Sequence, residues 1–186
     1  MRKFFPVFLL VPLLFISCKS KLVQWRILEI KYKISGIAEG ISTERLLDYG
    51  WIWEMESELS RGDGGEYIPG RTLIHMDYYH GKGYRLINGQ RVKVPDEVFK
   101  RANRKKVRKA SDFEGLVKIY KKIGFSVKGE EKYLGRDCLV LTKKFLGKNE
   151  VVYLWKELPF NMPLYHYQPR YNGFVEKKAV EIREEK

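Results

Sequence analysis

From Arg26 onward the chain alternates apolar and polar side chains with a period of two, and this alternation commits it to a sheet with one buried face. In Arg26 to Ile34, residues Leu28, Ile30, Tyr32 and Ile34 fall on one side of an extended chain and Glu29, Lys31 and Lys33 on the other, as in a half-buried strand. Ile41 to Leu47 reads as a second strand, ending in the turn Asp48-Tyr49-Gly50. Trp51 to Leu59 repeats the pattern, with Trp51, Trp53, Met55 and Leu59 on one face and Glu54, Glu56 and Glu58 on the other.

Turn residues divide the next part of the chain into short strands. Arg61 to Gly70 holds four glycines and a proline, so it is a loop; its glycines complete no phosphate-binding pattern. Strands are expected over 71–79 and 84–87, and Asn88-Gly89 tolerates the positive φ angles of a tight hairpin, with 91–94 as the returning strand. Pro95 closes this series. Ser111-Asp112-Phe113-Glu114 matches a capping box at a helix start. Phe113, Leu116, Val117, Tyr120 and Ile123 then recur at helical spacing, and Gly124 suits a left-handed helix end. Further strands are expected at 125–133, 138–145, 151–155, 165–167 and 174–182, with turns at Gly135 and at Gly147-Lys148-Asn149.

The N-terminal run, Met1 to Ser20, is a different kind of segment. Arg2 and Lys3 precede an uncharged apolar core from Phe4 to Ile16, and Ser17-Cys18 introduces the first small residue, the three-part arrangement of a secretory signal. Its 13 apolar-core residues fall short of the roughly 20 needed to span a bilayer as a helix. Phe15-Ile16-Ser17-Cys18 resembles the lipobox of bacterial lipoproteins, with Phe15 where Leu is usual. That resemblance implies cleavage after Ser17, acylation of Cys18 and attachment to a membrane through it. Lys19 lacks the aspartate that the familiar enterobacterial rule uses for inner-membrane retention, which points to the outer membrane and a periplasm-facing domain. The resulting division is a signal peptide over 1–17, a lipidated N-terminus and tether over 18–25, and one domain over 26–186.

Charge narrows the partners. The whole chain carries a formal +13; removal of residues 1–17 takes away Arg2 and Lys3 and leaves +11. Lys100, Arg101, Arg104, Lys105, Lys106, Arg108 and Lys109 form a basic run without an acidic residue. Such a run reads either as a solvated face or as a patch drawn to anionic headgroups, at about 1 kcal/mol per residue near a charged membrane. Basic charge interleaved with aromatics also suits nucleic acid, but export argues against that partner. The three histidines, His75, His80 and His166, lie in no metal-ligand spacing, and no cofactor motif is present. Cys138 precedes Leu139-Val140-Leu141 and reads as a buried thiol rather than a nucleophile. Only one further cysteine exists, so a disulfide framework is excluded.

The order of strands, helix and strands, together with Tyr133-Leu134-Gly135-Arg136-Asp137-Cys138 and Val151-Val152-Tyr153-Leu154-Trp155-Lys156-Glu157-Leu158-Pro159, resembles the LolA/LolB-like outer-membrane lipoprotein-sorting proteins. The resemblance implies an α+β fold, a curved and mainly antiparallel half-barrel with a helical insertion packed on its concave face. It also implies an apolar concavity for acyl chains, with lipid or lipoprotein as cargo. The residues expected to line it are Trp51, Trp53, Met55, Tyr84, Leu86, Tyr153 and Trp155. The expected function is non-enzymatic lipid binding at a membrane; the rival is an interaction lipoprotein whose core is filled by its own side chains.

Overall fold

A computed structural model describes residues 21–63, 67–92, 112–158 and 160–186. Eleven strands form one sheet: β1 (Ile27–Gly36), β2 (Glu39–Leu47), β3 (Ile52–Arg61), β4 (Gly70–Asp77), β5 (Lys82–Ile87), β6 (Gln90–Val92), β7 (Ser126–Tyr133), β8 (Arg136–Phe145), β9 (Lys148–Trp155), β10 (Tyr165–Arg170) and β11 (Gly173–Glu185). Their order across the sheet is β6-β5-β4-β3-β2-β1-β11-β10-β9-β8-β7. Every neighbouring pair is antiparallel. The two halves of the chain are therefore meanders running outward from a central seam, where β1 pairs with β11 from Ile27↔Glu185 to Gly36↔Val175. Hairpins make each meander, and the seam joins residues about as far apart in sequence as the domain allows.

Local chemistry explains most of the turns. Asn88 and Gly89 have φ of 49° and 80°, as the hairpin signal required. Leu134-Gly135 and Leu146-Gly147 adopt the same pair of positive φ angles, so the β8–β9 turn is centred on Leu146-Gly147, one residue before the expected span. Gly36 and Gly40 serve a different purpose. A Cβ on Gly36 would stand 2.1 Å from the Phe174 carbonyl oxygen, and one on Gly40 2.2 Å from that of Glu58; only hydrogen fits where the backbones approach this closely.

The sheet is strongly curved. Arg85 of β5 and His166 of β10 line the same cavity, although a flat sheet would hold strands six steps apart at about 29 Å, given roughly 4.8 Å per step. The helix α1 (Phe113–Lys122) covers the inner side of the C-terminal half. Its Leu116 and Tyr120 pack with Phe125, Leu141, Val152 and Leu154. The expected half-barrel with a helix on its concave face is the architecture observed.

Several local expectations are corrected. Asp112 caps α1, its carboxylate accepting from the Glu114 N–H at 3.1 Å; the expected Ser111 lies outside the described residues. Ile123 was expected in the buried stripe, but it occupies the helix C-cap and is exposed. Residues 22–25, expected within a tether, are docked: the Leu22 and Val23 N–H groups donate to the Tyr49 carbonyl, and Val23 and Trp25 are buried. The signal segment 1–17, Cys18 and the basic residues Lys100, Arg101, Arg104, Lys105, Lys106, Arg108 and Lys109 all lie outside the described residues.

Candidate functional site

Strand register fixes which side chains face the concavity. Reading across β1 to β5, the pairings set out successive rows on the inner surface. Leu28, Leu46, Trp53 and Met76 form an apolar row. The next is Ile30, Glu44, Met55, Ile74 and Arg85. Beyond it Tyr32, Ser42, Ser57 and Thr72 make a continuous row of hydroxyls, all four buried. Across the concavity, Lys177 of β11 and His166 of β10 stand opposite one another in register.

The parts of these rows carried by β2 to β5, from Glu44 and Ser42 through Trp53 and Met55 to Arg85, form the floor of a cavity of about 490 Å³. Trp53, Met55, Leu59, Ile68 and Ile74 supply apolar surface; Tyr120 of α1 and the segment carrying Asn161 and Pro163 form the opposing wall. The Tyr120 hydroxyl donates to Asn161 Oδ1 at 2.7 Å, tying the helix to that segment. The lining is not purely apolar. Lys177 Nζ is ion-paired with the Glu44 carboxylate and stands 4.1 Å above the centre of the Tyr32 ring. His166 Nε2 is 2.9 Å from Glu150 Oε1.

Burial, and then the negative charge of a nearby glutamate, keep the surrounding phenols protonated. Both effects raise Tyr32 well above the ordinary phenol value, with Glu44 the neighbour. They push Tyr78 up to about 12, again beside Glu44, and Tyr120 to about 12 beside Glu150. These hydroxyls are neutral hydrogen-bonding groups throughout the physiological range. Three buried polar atoms of these rows have no partner: the Tyr32 and Ser42 hydroxyl oxygens and Arg85 Nε.

The seven residues expected to line a concavity divide between two faces. Trp53 and Met55 do line the cavity. Tyr84 and Leu86 do not: register puts Ile74 against Arg85, so Arg85 and Ile87 turn inward and Tyr84 and Leu86 outward. Tyr84 stacks on His75, with ring centres 5.1 Å apart, and His75 Nδ1 lies 2.9 Å from Glu54 Oε1. Tyr153 and Trp155 pair with Val140 and Cys138, on the side opposite Val152 and Leu154. Tyr153 joins Tyr133 and Tyr165 in an aromatic cluster, and its hydroxyl donates to Glu131 at 2.7 Å. Trp155 is buried against Trp25, their ring centres 4.8 Å apart. Trp51 is buried edge-on to Tyr79 and is not part of the cavity lining.

Four ionisable residues of the cavity, Glu44, Arg85, His166 and Lys177, are not among the residues expected to line it. Only Lys177, between the buried Val175 and Ala179, interrupts an otherwise apolar inward set; Glu44 follows Ser42 and His166 precedes Gln168 on faces that carry no apolar alternation. Among the described residues, no group of three or more His, Cys, Asp or Glu side chains is gathered for a metal, and no helix is long and apolar enough to cross a membrane. The three histidines lie at separate places, His80 beside Asp77 with Nδ1 2.6 Å from its carboxylate. Cys138 is a buried free thiol, and burial pushes it up to about 11.

No family model and no curated protein matches this chain. Among solved structures it is similar to an uncharacterized conserved protein from Thermus thermophilus, at 12% identity over 87% of this chain and 80% of that one, with a TM-score of 0.47. It is similar to a putative outer membrane lipoprotein-sorting protein domain from Vibrio parahaemolyticus, at 11% identity, 88% and 87% coverage and a TM-score of 0.34. MucB in the Pseudomonas aeruginosa MucA/MucB complex aligns at 12% identity with 83% of this chain and 51% of its own, with a TM-score of 0.31.

Proposed function

We propose that this protein is a membrane-anchored, non-enzymatic lipoprotein of the cell envelope that holds a lipid, or the acyl part of a lipidated protein, in the concave-face cavity. The observation that carries this reading is the cavity itself. Its volume of about 490 Å³ lies within the roughly 300–1,000 Å³ of small-ligand sites, and its lining sets apolar residues such as Trp53, Met55 and Ile74 beside eight polar or charged ones, from Ser42 and Glu44 to Lys177. A fully packed interior would leave few voids larger than a water molecule. Nucleophilic catalysis gains no support from Cys138, whose buried thiol stays protonated at neutral pH.

The expected result is that the chain co-purifies with acyl lipid, detected by native mass spectrometry, and that Met55→Asp removes the lipid while circular dichroism shows an intact sheet. A wild-type protein that is consistently lipid-free after production in its own envelope would overturn the reading in favour of an interaction lipoprotein.

The anchor in this proposal is Cys18. Docking of Leu22 on Tyr49 leaves four residue steps between that cysteine and the folded domain, at most about 14 Å of extended chain. The cavity would thus work close to the bilayer surface. Cys18→Ser is expected to release the protein from membranes and to abolish metabolic labelling with fatty acid; a membrane-bound, unlabelled wild type would end the lipidation part of the proposal.

A further inference from the structure

Arg85 is the anomaly of the inner surface. In β5 the apolar residues Tyr84 and Leu86 face outward and the arginine inward, the reverse of the arrangement that hydrophobic burial alone would select. A charge turned into a half-buried surface needs a compensating partner. Lys177 already has Glu44 and His166 has Glu150, whereas Arg85 Nε is buried with no hydrogen-bond partner and no carboxylate of the described residues is paired with it. Glu44 lies in the same cross-strand row but is separated from Arg85 by Met55 and Ile74. Among the described residues, the cavity lining therefore holds one cation without a counterion.

The adjoining row gives a second, independent observation. Ser42, Ser57 and Thr72 line the cavity as consecutive hydroxyls, and the Ser42 oxygen is buried without a partner. A buried hydroxyl left unpaired is unfavourable unless something enters to bond it. A cation beside a row of hydroxyls suits the several acceptor oxygens of an anionic head, while Trp53, Met55 and Leu59 suit a hydrocarbon.

We infer that the cavity is selective for a single-chain amphiphile with an anionic oxygen head, a carboxylate or a phosphate monoester, held by Arg85 and the nearer hydroxyls of that row, Thr72 and Ser57, with its chain over Trp53 and Met55. This rests on the lipid-binding reading and adds to it a head-group preference, with Arg85 as the residue that sets it.

The test uses the full chain carrying Cys18→Ser, stripped of bound lipid, and three probes of equal chain length: hexadecanoate, hexadecyl phosphate and hexadecanol, followed by tryptophan fluorescence and calorimetry. At least one anion is expected to bind about tenfold or more tighter than the alcohol, the size of one charge-assisted interaction; which anion wins separates a carboxylate from a phosphate ligand. Arg85→Gln should bring that anion down to the alcohol's affinity and leave the alcohol unchanged, and Arg85→Lys should restore part of the preference. Equal binding of all three probes, or a preference that survives Arg85→Gln, overturns the head-group inference while leaving lipid binding in place. Binding of none of them overturns both. If Arg85→Gln fails to fold, Ser57→Ala with Thr72→Val provides the second measurement: an undiminished anion preference there overturns the inference.

Discussion

Replacing Lys177 with methionine is expected to lower the unfolding free energy by about 3–5 kcal/mol, because it leaves the Glu44 carboxylate buried without its cation. Glu44 and Lys177 retain only 4% and 14% of their side-chain exposure, so water cannot readily take over the charge. Around Glu44 the sheet supplies Ile30 and Met55 as its cross-strand neighbours, neither of which offers a hydrogen bond. The lysine also gives up its position 4.1 Å above the Tyr32 ring. Changing both partners, Glu44→Met with Lys177→Met, should recover most of the loss, since an apolar pair of similar volume in place of a buried ion pair is often neutral or stabilising. Urea titration of the three variants against wild type, followed by tryptophan fluorescence, measures the difference. A single-variant loss below about 1 kcal/mol, the range of exposed pairs, would mean that the cavity hydrates Glu44 or that Arg85 reaches across to replace the lysine.

The ion pair and the free arginine also mark how far residue pattern can be read. Alternation located nearly every strand, because burial of one face imposes a period of two wherever the chain lies on the core. Hence Leu28, Ile30, Tyr32 and Ile34 on β1, and Trp53 and Met55 on β3, lie on the side that alternation gives them. In β5 the same reasoning fails, since Lys82-Gly83-Tyr84-Arg85-Leu86-Ile87 offers apolar residues of both parities. Parity there is set by pairing with β4, which no local pattern records. In β9, Val151, Val152, Tyr153, Leu154 and Trp155 are apolar without interruption, because both faces are covered: the inner by α1 and the outer by aromatic neighbours and Trp25. A continuous apolar run cannot say which face it shows. Glu44 and Lys177 are 133 positions apart, and only closure of the seam between β1 and β11 brings them within reach. Conflict between local pattern and final placement concentrates at Arg85, as it tends to at functional positions.

The two tryptophans that the sequence places together should separate in their effects. Trp155→Ala is expected to destabilise the protein by about 3–5 kcal/mol, the range for removing a large aromatic from a core, and to leave ligand affinity per folded molecule unchanged. Trp155 is 2% exposed and packed on Trp25 with ring planes inclined at 46°. Its ring also carries the Arg136 guanidinium at 4.8 Å, and that arginine is held in turn by Glu184 at 2.6 Å. Its loss would loosen the junction where the N-terminal segment, β8 and β11 meet. Trp53 is only partly buried, and its ring lines the cavity. Trp53→Ala should therefore cost less stability, because the cavity already accommodates empty space beside it, but it should weaken binding of a C16 probe by removing apolar contact surface. The comparison needs two numbers for each variant: the urea midpoint, and the affinity for hexadecanoate measured well below that midpoint. Loss of affinity in Trp155→Ala with little loss of stability would place the ligand against the cluster that Trp155 forms with Trp25, Leu28 and Leu46 rather than in the register-defined cavity. Equal losses of stability in both variants would show that Trp53 belongs to the packed core rather than to a binding wall.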